Sequence, residues 1–159
     1  MLTHPDLPRS QWLRLWTALP AERIRTAADA LSGRYVVEDI ELPQSGLGLL
    51  PLNDGALGEA YYLGEIPLAR AHVRIADGAG KAVEGGAIIM DDRARLARSL
   101  AILDGVLAAG LPGFETARTL LNEGAEKIRE ITVDRQKLMA ATRVDFSLLG
   151  TTDEEDDDA

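Results

Sequence analysis

Arg70, His72 and Arg74 alternate with Ala69, Ala71, Val73 and Ile75, and a period of two puts the first set on one face of a β-strand and the second on the other. Two guanidinium groups on one face can hold phosphate or a partner's carboxylate, because each planar fork offers paired N–H donors. The same pattern also describes a solvated sheet face whose arginines pair with carboxylates on the next strand. With a turn near Ile66 and Pro67, a simple register sets Leu63 opposite Arg70, Tyr61 opposite His72 and Glu59 opposite Arg74. A Glu59–Arg74 ion pair follows. His72 has the basicity of a general base, but local spacing brings no serine, threonine or carboxylate to it, which favours a structural or exposed role.

Other chemistries find less support. Glycines gather at Gly78, Gly80, Gly85 and Gly86 without the lysine and serine or threonine of a phosphate loop, and without a dinucleotide fingerprint between strand and helix; hairpins and bulges account for them. Asp91 and Asp92 could hold magnesium, or could serve the N-terminus of the helix that follows. The chain has no cysteine and only His4 and His72, so disulfides and thiolate metal sites are excluded and any metal would need carboxylates. No catalytic residue, metal ligand or cofactor is assigned. An independent hydrolase would require Asp91, Asp92 and a metal to meet in a pocket.

The elements that must carry these residues read as α+β. Trp12, Leu15, Trp16 and Leu19 share a helical stripe, and Ile24, Ala27, Ala28 and Leu31 form a second one after Pro20, stopped by Gly33. Trp12 and Trp16 belong to the core or fill a partner's pocket. From Tyr35 the texture becomes β-branched and alternating, with candidate strands at 35–42, 46–52, 58–63, 68–76 and 82–90. The short connections predict an antiparallel meander of about five strands. Leu96, Leu100, Leu103 and Leu107 mark a third helix ending at Gly110. After Leu111-Pro112-Gly113 a fourth begins at Phe114 and runs through Leu120, Leu121, Ile128 and Ile131, with Gly124 as its weak point. The prediction is an N-terminal helical pair, the sheet, and two C-terminal helices covering one of its faces.

At 159 residues the chain suits one domain, placed at 1–150. Of a formal net charge of −9, six negative charges fall at 153–158, so 151–159 is expected to be a disordered acidic tail, for solubility or for docking a basic partner. The rest is only mildly acidic, which argues against nucleic-acid binding. No apolar run approaches a membrane span and no secretion signal opens the chain, so a cytoplasmic location is expected.

Three stretches together resemble the G subunit of the bacterial carbon–phosphorus lyase system for phosphonates. They are Gln11-Trp12 with the helix pair to Leu31; Gly58-Glu59 through Gly64-Glu65 to Arg70-Ala71-His72-Val73-Arg74 and Asp77-Gly78; and Thr142-Arg143-Val144-Asp145-Phe146. Their order and spacing cover roughly residues 10 to 150. The resemblance implies an accessory subunit that assembles with H, I and J partners and supports a step in which a phosphonate such as methylphosphonate displaces the base of a nucleoside triphosphate. The product would be a ribose 1-phosphonate 5-triphosphate. The chain departs from the family where a G-R-D-x-x-H-A-E run enters the third helix: Leu96 and Arg98 stand in place of histidine and glutamate. Gly55-Ala56-Leu57-Gly58 likewise replaces G-G-T-G.

Arg70, Arg74, Glu59 and His72, with Arg143 and Asp145, are therefore the candidates for partner or anion contact. The rival to the subunit is a free-standing phosphate- or phosphonate-binding module with an arginine-lined sheet face. Self-association of the isolated chain, to cover exposed apolar surface, is a further expectation.

Overall fold

The computed structural model describes residues 7–142 except 57 and 79. Its elements run α1 (Arg9–Trp16), α2 (Ala21–Ser32), β1 (Val36–Asn53), β2 (Ala60–Ala76), β3 (Ala82–Ile89), α3 (Ala94–Ala108) and α4 (Phe114–Ala141). The chain divides into two compact units, Met1–Ile128 and Arg129–Ala159. Among the described residues no helix is long and apolar enough to cross a membrane.

The class is α+β, but the sheet has three antiparallel strands in the order β1-β2-β3 rather than about five. The expected strands 35–42 and 46–52 are one strand, as are 58–63 and 68–76. Pro43 suggested a break, whereas Pro51 fell inside the expected strand 46–52; both lie in β1, an edge strand, where a missing N–H is tolerated. The register shifts between Asp39/Glu41, Glu41/Gln44 and Leu49/Pro51 absorb the irregularity. Pro67 lies in β2 beyond its last pairing with β3, Ala69↔Ile89. The true hairpin is at 53–60, where Asp54 Oδ1 accepts from Ala56 N at 2.8 Å and Gly58 takes a positive φ of 69°. At the β2–β3 turn Asp77 Oδ1 accepts from Lys81 N at 2.9 Å.

Alternation on β2 holds as the sequence requires. Ala69, Ala71, Val73 and Ile75 are buried with Ala87 and Ile89 of β3, and Arg70 and Arg74 face out. α3 lies on the buried face. Its Leu96, Leu100, Ile102, Leu103 and Val106 are buried on nearly all sides because α2 and α1 cover it from the other direction. Each such side chain contributes about 1.5–3 kcal/mol by leaving water. Gly110, at φ 59°, ends the helix: its N–H donates to Leu107 O, and the N–H of the buried Leu111 donates to Val106 O. This is the paired hydrogen bonding of a glycine-terminated helix.

α4 begins after Gly113 and turns Ala117, Leu120, Leu121 and Gly124 inward. Trp16, fully buried, donates from Nε1 to Ala117 O at 3.1 Å. Trp12 tilts against it at 5.9 Å between ring centroids and donates to Leu7 O, so the first tryptophan supports the core from its margin. At Gly124 the Leu15 backbone of α1 lies so close to α4 that it occupies the space a β-carbon would need.

Candidate functional site

The outer sheet face gathers charge from all three strands. Glu38 and Glu41 come from β1, Arg70, His72 and Arg74 from β2, and Glu84 from β3. Arg70 Nη2 lies 3.5 Å from Glu41 Oε2 and donates to Gln44 Oε1 at 3.4 Å. Arg74 Nη2 reaches Glu84 Oε1 at 3.4 Å, and His72 Nε2 meets Glu84 Oε2 at 3.1 Å. The expected Glu59–Arg74 pair does not form. The register sets Glu38 opposite Arg74 and Glu41 opposite His72, and Glu59 sits in the hairpin loop, its carbonyl accepting from Asp54 N. The misplaced turn at Ile66–Pro67 is the cause. Arg143, Asp145 and the acidic stretch 151–159 lie outside the described residues.

Two guanidinium groups against three carboxylates make this plate slightly acidic. A depression of about 500 Å³ opens beside Arg70 and His72, with Glu41 in its wall and Leu13 and Ile88 around it. An anion entering there would have to displace Glu41 from Arg70 and face its charge. The arginines are about half exposed, so each pair is worth at most about 1 kcal/mol. Such a plate can register a polar protein surface; as an anion clamp it opposes itself.

Asp91 is likewise occupied. Its Oδ1 accepts from Arg93 N and Nε at 2.8 Å and its Oδ2 from Arg93 Nη2 at 2.5 Å. The Arg93 hydrogen bonds hold the Asp91 carboxyl down to about 2, against a smaller opposing effect of burial. α3 starts at Ala94 with Arg93 as its N-cap and no side-chain cap bond, so Asp91 stabilises the entering turn rather than the helix end. Among the described residues, no three histidine, aspartate or glutamate side chains converge as metal ligands would. Further along the entry to α3, Leu96 is a core residue and Arg98 Nε donates to Asp39 Oδ1 at 2.6 Å, tying α3 to β1.

Two features escaped sequence reasoning. Asp104 is buried on α3, its carboxylate held by the Arg9 fork at 2.8 and 2.6 Å and by Gly86 N–H at 3.0 Å. The hint was an aspartate inside an otherwise apolar run, but its partner lies 95 residues away. The other is the distal half of the β1–β2 hairpin. β3 pairs with β2 only from Ala69 to Ala76, so residues 45–67 form a two-stranded ribbon in which no described residue is buried. Leu47, Leu49, Tyr62 and Leu63 each expose more than half their surface, and Leu50, Leu52 and Tyr61 over two-fifths. The available hint was leucine at both odd and even positions from Leu47 to Leu52, which leaves neither side of the strand polar.

The family model described as "Phosphonate metabolism protein PhnG" matches residues 7–150. The alpha-D-ribose 1-methylphosphonate 5-triphosphate synthase subunit PhnG of Rhizobium meliloti (strain 1021) is 31% identical over 140 residues, covering 87% of this chain and 85% of that protein.

Proposed function

Because the chain belongs to the PhnG family of phosphonate metabolism proteins, we propose that it is an accessory subunit of the carbon–phosphorus lyase machinery. In that role it supports formation of ribose 1-methylphosphonate 5-triphosphate from ATP and methylphosphonate, with methylphosphonate taking the place of adenine on the ribose. Its partners are the H, I and J subunits, and its place is the cytoplasm.

The observation that carries this reading is the ribbon at 45–67. A two-stranded hairpin without a core beneath it is marginal in water, and this one leaves Leu47, Leu49, Leu50, Leu52, Tyr61, Tyr62 and Leu63 exposed. Contiguous apolar surface of that kind marks a contact with another protein. The charge plate beside it, already compensated internally, suits the polar rim of such a contact.

The test is reconstitution. Co-expressed with its H, I and J homologues, the full chain is expected to purify in a fixed ratio with them. The complex, supplied with the remaining proteins of the step, should release adenine from ATP in the presence of methylphosphonate, and omission of this chain should abolish that release until it is added back. Recovery of the chain free of those partners would overturn the proposal, as would full activity without it.

A further inference from the structure

We propose that the ribbon at 45–67 inserts, with both faces covered, into an apolar cleft of a different subunit that carries lysine or arginine at its floor, against Asp54 and Glu59 of the hairpin tip, and nearer its mouth, against Glu65. This rests on the subunit role above and specifies how the contact is made.

Two observations point to a cleft rather than a flat patch. The register runs without a break from Gln44↔Arg70 to Leu49↔Glu65, so Leu47 and Leu49 continue the side of the sheet that holds buried Ala69, while Ile66 and Leu68 continue the outer side. Beyond the shift, Leu52 pairs with Tyr61 and Pro51 with Tyr62; neighbours along a strand point opposite ways, so one tyrosine projects from each face. Covering one side alone would leave half of the large apolar side chains in water. Strand addition along β1 is disfavoured, because Pro43 and Pro51 remove donors from that edge and the shifts at Glu41/Gln44 and Leu49/Pro51 interrupt its repeat.

Charge selects the occupant. The acidic side chains in 45–67 are Asp54, Glu59 and Glu65, and no lysine, arginine or histidine lies there. Carboxylates carried into an interface demand cationic partners, since burying them unpaired is costly. A second copy of this chain meets that demand poorly. Ribbon against ribbon across a two-fold axis sets an acidic segment against itself, and ribbon against another surface of the copy is a head-to-tail contact that must close into a ring or grow. The chain's formal charge of −9 adds to the repulsion.

The experiment places a photo-cross-linking phenylalanine analogue at Tyr61 or at Tyr62 in the full chain, co-expressed with the other synthase subunits. Both positions are expected to cross-link to the same foreign subunit, one from each face. In parallel, the double variant Glu59→Lys/Glu65→Lys should bind that subunit at least about tenfold more weakly at low salt, with the deficit shrinking as salt rises. Its unfolding midpoint should match the unmodified chain, because neither side chain is in the core. Cross-linking from only one tyrosine, cross-linking to a second copy, or undiminished binding by the charge-reversed variant each overturns the cleft. Failure of the unmodified chain to assemble with any synthase subunit is a different result, and sinks the subunit role itself.

Discussion

Replacing Gly85 by alanine tests whether α3 and β3 meet backbone to backbone. A methyl group built at Gly85 falls well inside contact with Ala101 O and lies 2.6 Å from Gly105 N and 2.9 Å from Gly105 Cα. Every one of those atoms is main chain, so no rotamer change can make room. Ordinary contact begins near 3.4 Å, and α3 must therefore withdraw by at least about 0.8 Å, a gap that forfeits a quarter to a half of each lost packing contact. The withdrawal is felt by Leu100, Leu103 and Val106, all fully buried. Against it stands only the usual gain of about 0.4–1 kcal/mol when glycine gives way to alanine and the unfolded chain loses freedom. Overpacking costs about 1–3 kcal/mol or more, so Gly85→Ala should lower stability by about 3 kcal/mol, roughly 6–12 °C in Tm for a chain of this size. Gly86→Ala is the internal control: the nearest atom to its methyl, Ala71 O, is 3.9 Å away, and its change should stay below about 1 kcal/mol. Guanidinium unfolding followed by the fluorescence of Trp12 and Trp16 reads both. If Gly85→Ala unfolds within about 0.5 kcal/mol of the parent with the same denaturant slope, the close crossing of α3 over β3 is refuted.

Gly124→Ala should also destabilise, by about 2 kcal/mol in the same assay, although alanine is the better helix former by about 1 kcal/mol, because its methyl would strike the Leu15 carbonyl group. A rise in Tm would contradict the packing of α4 on α1. Arg9→Met should cost about 2 kcal/mol, since it leaves buried Asp104 with Gly86 N–H but without the arginine fork. The exposed Glu84→Gln should cost less than about 1 kcal/mol, and equal losses in the two would count against the Asp104 linkage. Asp91, held near 2 in the folded chain, contributes stability that is complete above its ordinary value near 4 and fades as pH falls toward 2. Asp91→Asn should therefore cost up to about 1 kcal/mol at pH 6, after allowing for the solvent around Arg93. That cost should vanish near pH 2, and a penalty independent of pH would exclude the carboxylate as its source.

By itself the sequence determined what local codes can carry. Period-3.6 stripes located the four helices, and Gly110 marked the end of α3. Strict alternation from Ala69 to Ile75 told which side chains of β2 enter the core. These are properties of a few neighbouring residues, and the chain's own geometry enforces them. Which strand lies beside which is not of that kind. Prolines that looked like breaks are tolerated at an unpaired edge, so five short strands became three long ones, and Arg74 met Glu38 and Glu84 instead of Glu59.

Only the tertiary structure decided the meaning of the glycines and of the lone acid. Gly85 and Gly124 read as a bulge residue and a weak point until the backbones of α3 and α1 came against them. Asp104 waited for an arginine 95 residues away in the chain. The ribbon shows the same division: its leucines and tyrosines announced a strand, but whether apolar side chains are buried depends on what packs over them. Here β3 ends at Ile89, opposite Ala69, and leaves the ribbon uncovered. Burial is a relation between distant segments, and it is settled by packing rather than by the residues that seek it.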